Sequence, residues 1–139
     1  MNANTFFPVA TIALLAIGMA QQAFSASDTE QSFRNVRYAC AGVSQESRDD
    51  PRWSGYPVKL VFAAADGGFL GDVKVKIGDA KGATVLQAHC NAPWLLVDLA
   101  PGNYKVEALA RQDYQQSFAL SVGGGRQQER TTRFPEIAN

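Results

Sequence analysis

A chain of 139 residues with 46% apolar and 19% charged side chains is long enough for one domain, and apolar enough to bury a core, which excludes disorder over most of its length. Thirteen basic residues balance thirteen acidic ones. Zero net charge excludes the basic field that nucleic acid requires and offers no long acidic run to a cationic partner.

The first 25 residues carry no charged side chain, and positions 9–20 (VATIALLAIGMA) form an apolar run. A run of about a dozen suits the core of a signal peptide and falls short of the ~20 residues that span a bilayer. Ala23-Phe24-Ser25 fits the small-x-small cleavage pattern, and charge begins at Asp28. The amino-terminal region lacks Lys and Arg, so an uncleaved anchor is the alternative. No cysteine follows the run as a lipoprotein would need. The expectation is a signal peptide over 1–25, export to the periplasm, no stable membrane span after cleavage, and a flexible polar arm over 26–35.

Val36, Tyr38 and Cys40 alternate with Arg37, Ala39 and Ala41, which predicts a first strand ending at Gly42. Residues 44–52 (SQESRDDPR) are charged and lack β-branched types, so a short helical turn stopping before Pro51 is expected. Glu46, Asp49 and Asp50 lack the alternating oxygen ligands and central glycine of a calcium loop; no metal site is expected there. After Tyr56-Pro57, VKLVFAAA is apolar on both faces and reads as a central strand. Asp66-Gly67-Gly68 has hairpin-turn chemistry.

The strongest periodicity follows. In DVKVKI, Val73, Val75 and Ile77 oppose Asp72, Lys74 and Lys76, giving one buried and one wet face. Gly78 to Gly82 turns the chain into TVLQAHC, where Leu86, Ala88 and Cys90 oppose Val85, Gln87 and His89. Asn91-Ala92-Pro93 breaks that strand before WLLVDL, in which Trp94 opposes Leu95, Val97 and Leu99. Ala100-Pro101-Gly102-Asn103 turns into YKVEALA, with Tyr104, Val106 and Ala108 on one face. Residues 114–122 alternate again, and 126–134 read as a polar edge strand anchored by Phe134, with 135–139 a short tail. Strands about ten residues apart predict an all-β antiparallel sandwich of about seven or eight strands.

Two patterns carry a resemblance. Gly68, Leu70, Asp72, Val73, Val75, Ile77, Asp79 and Gly82 fill the first; Pro93 to Leu96, Leu99, and the turn motif Pro101, Gly102 and Tyr104, then Val106, fill the second. Over 36–134 the chain resembles the bacterial carboxypeptidase regulatory-like domain proteins. That resemblance implies a transthyretin-like (prealbumin-like), Ig-like β-sandwich. Ala100 stands where such proteins often carry a second proline. The family's shared function is poorly defined, so the likeness implies a fold rather than an activity.

Cys40 and Cys90 are the only cysteines, an even count in an exported chain, which predicts a disulfide between two strands. Closing a loop of that length would add about 4 kcal/mol of stability on the chain-entropy estimate. Two separate buried thiols are the alternative.

The residue inventory argues against catalysis. His89 is the single histidine, expected on a wet face, and cannot supply the several ligands of a zinc or non-haem iron site. Transthyretin-like 5-hydroxyisourate hydrolases use more than one His and end in Tyr-Arg-Gly-Ser; this chain ends in Phe134-Pro135-Glu136-Ile137-Ala138-Asn139. No nucleophile-elbow sequence occurs, and the acids sit at turns or on wet faces. The expectation is a non-enzymatic protein without cofactor. Trp53, Tyr56, Phe69 and Trp94 lie near strand ends and are the candidate binding residues, able to stack on a sugar or dock a peptide if exposed, or else to cap the core. The leading reading is an accessory or interaction module of the periplasm, its partner another envelope protein, met on a loop surface or at a free sheet edge. The alternatives are a cell-wall glycan-binding module using Trp53 or Trp94, and a small periplasmic hydrolase.

Overall fold

A computed structural model describes residues 29–111 and 113–138. The expected leader lies outside them. Among the described residues no helix is long and apolar enough to cross a membrane.

The described residues form nine strands: β1 (Glu30–Phe33), β2 (Val36–Ala41), β3 (Val58–Ala64), β4 (Val73–Asp79), β5 (Thr84–Cys90), β6 (Trp94–Val97), β7 (Gly102–Ala110), β8 (Tyr114–Val122) and β9 (Gln128–Phe134). They build a five-stranded sheet in the order β1-β2-β6-β3-β9 and a four-stranded sheet in the order β5-β4-β7-β8. The all-β sandwich is as expected, with more strands than the seven or eight read from the sequence.

The alternation sets which side faces in. Val73, Val75 and Ile77 of β4, Leu86, Ala88 and Cys90 of β5, and Val106, Ala108 and Ala110 of β7 are buried against Cys40, Val58, Leu60, Phe62, Leu95 and Val97 of the opposing sheet. Cys40 of β2 and Cys90 of β5 are joined by a disulfide, with Cα atoms 5.4 Å apart. The bond spans the core from sheet to sheet. Tyr104 donates its hydroxyl to the Ala100 carbonyl at 2.6 Å and so holds the Pro101-Gly102 turn closed.

The Asp66-Gly67-Gly68 turn forms as expected, with Gly67 N–H donating to the Ala64 carbonyl and Ala63 pairing antiparallel with Phe69, before β4 enters the other sheet. Three details depart from the sequence reading. The arm expected over 26–35 is in part β1, which pairs antiparallel with β2 through a tight turn where Arg34 takes φ 53°. Strand β9 lies at an edge as expected, yet runs parallel to β3. The tail is not free either: Ile137 is buried in the main core, and its carbonyl accepts from Ala65 N–H at 2.8 Å.

The connection between β2 and β3 holds one helical turn, α1 (Gln45–Arg48), and a 3-10 turn over Pro51–Gly55. Ser44 caps α1 by accepting from Ser47 N–H. Asp50 caps the 3-10 turn by accepting from Arg52 N–H, with Pro51 in the first position, where its missing N–H costs nothing. Asp49 accepts from the Gln45 amide.

Candidate functional site

The helical connection folds back over the outer face of the five-stranded sheet, where Trp53 and Tyr56 pack with Ala39, Ala41, Val61, Trp94 and Leu96 into a second buried cluster. Of the two alternatives the sequence left for these aromatics, three of the four candidate positions take the buried one: Trp53, Tyr56 and Trp94 are 3%, 1% and 8% exposed. The physical reason is the small side chains on β2, which leave a trough under the connection. Gly42, at φ 99°, completes it, since a Cβ there would stand 2.8 Å from the Trp94 ring.

Polar atoms in this lid are satisfied. Trp53 donates its indole N–H to the Ser47 carbonyl at 2.7 Å, and Tyr56 donates to Glu30 Oε1 at 2.7 Å. Gln127 donates its amide to the carbonyls of Trp53 and Tyr56. Burial, and then the bond to the Glu30 carboxylate, push the Tyr56 phenol far above its ordinary range. Cations roof the rings: Arg52 over Trp53 at 4.6 Å, Arg37 over Tyr56 at 4.9 Å and Lys59 Nζ over Trp94 at 3.4 Å. Neither indole presents an open face to a sugar ring. Of the four, Phe69 alone is exposed, with the Arg48 guanidinium 5.8 Å from its ring.

The outer face of the four-stranded sheet differs. Among the described residues no connection crosses it. Register sets its side chains in rows: His89, Lys74, Leu109 and Gln115 in one, Gln87, Lys76, Glu107 and Ser117 in the next. A groove of about 520 Å³ lies here, bordered by Lys74, Lys76, Gln87, His89, Glu107 and Leu109. A smaller depression of about 170 Å³ continues it past Gly78 toward Lys105, and Lys76 and Glu107 border both. The result is one elongated track.

Its charges are unevenly committed. Asp72 contacts His89 Nε2. Glu107 pairs with Lys105 at 3.6 Å. Asp79 Oδ1 accepts from Lys81 and Ala83 N–H at 2.9 Å each. Among the described residues Lys74 and Lys76 have no ion pair.

Asp72 is held with φ 58°, a conformation that Asp tolerates better than most residues. Gly71 before it passes so close to the Asn91 carbonyl that a Cβ would sit 2.5 Å away, so only glycine fits. The sequence reading placed Asp72 and His89 on wet faces but did not pair them. The signal was available: once Lys74 stands opposite His89, Asp72 is the diagonal neighbour on the same face. Both side chains are open to water, at 66% and 47% exposure, and no other side chain is bonded to His89. An imidazole-carboxylate pair in this setting presents a polar rim. No group of three or more His, Cys, Asp or Glu among the described residues is placed to hold a metal.

No protein-family model matches the chain, and no curated protein matches it.

Proposed function

We propose that this chain is an exported, non-catalytic β-sandwich that works by contact as an interaction module of the bacterial envelope, presenting the outer face of its four-stranded sheet to a partner protein. The observation that carries this reading is the asymmetry of the two outer faces: one is closed by the chain's own aromatic lid, the other is an open track of paired acids and unpaired lysines. The apolar leader and the disulfide favour an oxidising compartment, the periplasm. The sandwich and the Tyr104 turn suit the carboxypeptidase regulatory-like resemblance, which remains part of the proposal.

Photo-crosslinking side chains placed singly at Gln87, Ser117 and Gln45 test it in the periplasm of living cells. Discrete protein adducts from the first two, on the open track, and none from Gln45, on the lid, are expected. Adducts from Gln45 alone, or none at any position, would defeat the proposal. So would a hydrolytic activity that disappears in a folded His89→Ala variant.

A further inference from the structure

We propose that β8 is a docking edge for a second copy of this chain, the two β8 strands pairing antiparallel about Ser117. A sheet edge offers a row of backbone N–H and C=O groups to any strand that arrives. Folded proteins guard such edges with short length, charge, proline, bulges or a covering segment. Three of the four edges here are guarded. Strand β1 is four residues long, and β9 carries Glu129, Arg130 and Arg133 among its seven. Strand β5 is tied across its open side to the β1–β2 hairpin, by the disulfide at Cys90 and by Arg34 Nη1 donating to the Thr84 carbonyl at 3.3 Å. Its pairing with β4 is also interrupted at Gly78.

Strand β8 has none of these devices. Its nine residues, YQQSFALSV, include no charge, glycine or proline, and all nine pair with β7 in one unbroken register. Cover comes only at its end. The Gln128 carboxamide donates to the Ser121 carbonyl at 2.7 Å and accepts from Gly123 N–H at 3.0 Å, the two bonds that a neighbouring strand would make there. Those bonds fix which residues turn their backbone away from β7. Ser121 does, and at a period of two so do Ala119, Ser117 and Gln115. Among the described residues, no backbone group pairs with the outward N–H and C=O of these three.

The strand's own make-up names the occupant. A second copy is present wherever the first is, and nothing in β8 opposes it. About a two-fold axis at Ser117, Gln115 meets Ala119 of the second copy, Tyr114 meets its Leu120, and Ser117 meets its counterpart. No like charges come opposite one another, and the whole chain is neutral. One contact satisfies the same outward groups in both copies, so it closes the edge and stops growth at the dimer. The half-buried Tyr114 and Phe118 gain cover. Arg130 already lies over the Phe118 ring at 4.3 Å from the β9 layer, so the new contact is made in the plane of the sheet. The product is a continuous sheet with four strands from each copy and both open outer faces on one side. Strand pairing of this length buries less area than a permanent dimer does, so a dissociation constant of about 10–100 µM is expected.

Sedimentation velocity of the purified protein, from about 1 µM to about 1 mM, tests this. A shift from monomer to dimer is expected within that range. Ser117→Glu, which sets two carboxylates opposite each other beside Glu107, should weaken the dimer at least about tenfold. Ser117→Pro, which removes only the outward N–H, should do the same. Thr131→Glu, the same charge on β9, should leave the dimer unchanged. Circular dichroism of dilute samples checks each fold, and Ser117→Glu carries the test if the proline variant unfolds. Amide exchange read by NMR locates the contact: Ser117 and Ala119 should exchange more slowly in concentrated protein, whereas Gln116 and Phe118, bonded to β7, should not change. A monomer at every concentration, a dimer that Ser117→Glu leaves intact, or one that Thr131→Glu abolishes would overturn the proposal. The crosslinks keep this claim apart from the partner surface: an adduct of two copies from Ser117 reports the dimer, and adducts from Gln87, on β5 at the far edge, report another protein.

Discussion

The two outer faces of this sandwich carry different side chains and are finished differently. Strand β2 presents Ala39 and Ala41 outward, residues too small to fill the space above the sheet, and the connection that follows lays Trp53 and Tyr56 into the gap beside Trp94. Strand β4 presents Lys74 and Lys76, whose long charged side chains keep their ends in water. Small outward residues invite a covering segment; long charged ones repel it. The first face gains stability from the arrangement and gives up access, and the second keeps access.

Ways to break this contrast can be ranked by expected size. The largest effect belongs to the bond that ties the two layers. Replacing Cys40 and Cys90 with Ala should lower stability by about 4 kcal/mol, since a loop of 50 residues loses its closure. Denaturant unfolding of the variant against the oxidised parent measures it. Nearly as large is the lid: Trp94→Ala should cost about 3–5 kcal/mol, with the same cost range for Trp53→Ala, because each leaves a cavity that backbone on both sides prevents from collapsing. If either variant unfolds with the parent, the lid contributes nothing.

Alkaline pH should loosen the lid at Tyr56 and the Pro101-Gly102 turn at Tyr104. Burial raises the Tyr56 phenol, and it raises Tyr104 as well, with repulsion from Asp79 adding to it. A group whose folded pKa lies above its unfolded value stabilises the fold fully below the unfolded value. That contribution falls as pH rises past about 10, where unfolded tyrosine begins to ionise. Thermal melts at pH 8 and pH 11 should therefore show a drop that Tyr56→Phe reduces. The open face gives the smallest effect: Lys74→Gln with Lys76→Gln should shift stability by no more than about 0.5 kcal/mol, since neither lysine is paired or buried. A larger shift would mean that the track serves folding rather than contact.

The strand alternation made the main core readable before any coordinates. Val73, Val75, Ile77, Leu86, Leu95 and Val97 all face inward as their parity requires, and the Cys40–Cys90 pairing joins the strands expected to carry it. The lid was harder. Its trace lies in β6, WLLV, which like β3 is apolar on both faces and must be covered on both. Reading Trp94 as a candidate for contact with a ligand overlooked that Leu96, two residues on, shares its face. Strand β1 escaped because Glu30, Gln31 and Ser32 have little strand preference; β1 is held by pairing with β2 and by Tyr56 bonding to Glu30, both of them tertiary effects. The parallel course of β9 depends on which strand it meets across more than sixty residues of chain, and local pattern does not encode that.

Intrinsic fluorescence tests the contrast most directly, because the chain has two tryptophans and both belong to the lid. Acrylamide titration of the native protein should quench that emission weakly, with a steep increase once the protein is unfolded. Native emission quenched as readily as that of the unfolded chain would show that Trp53 and Trp94 are open to solvent, and that the covered face is not covered.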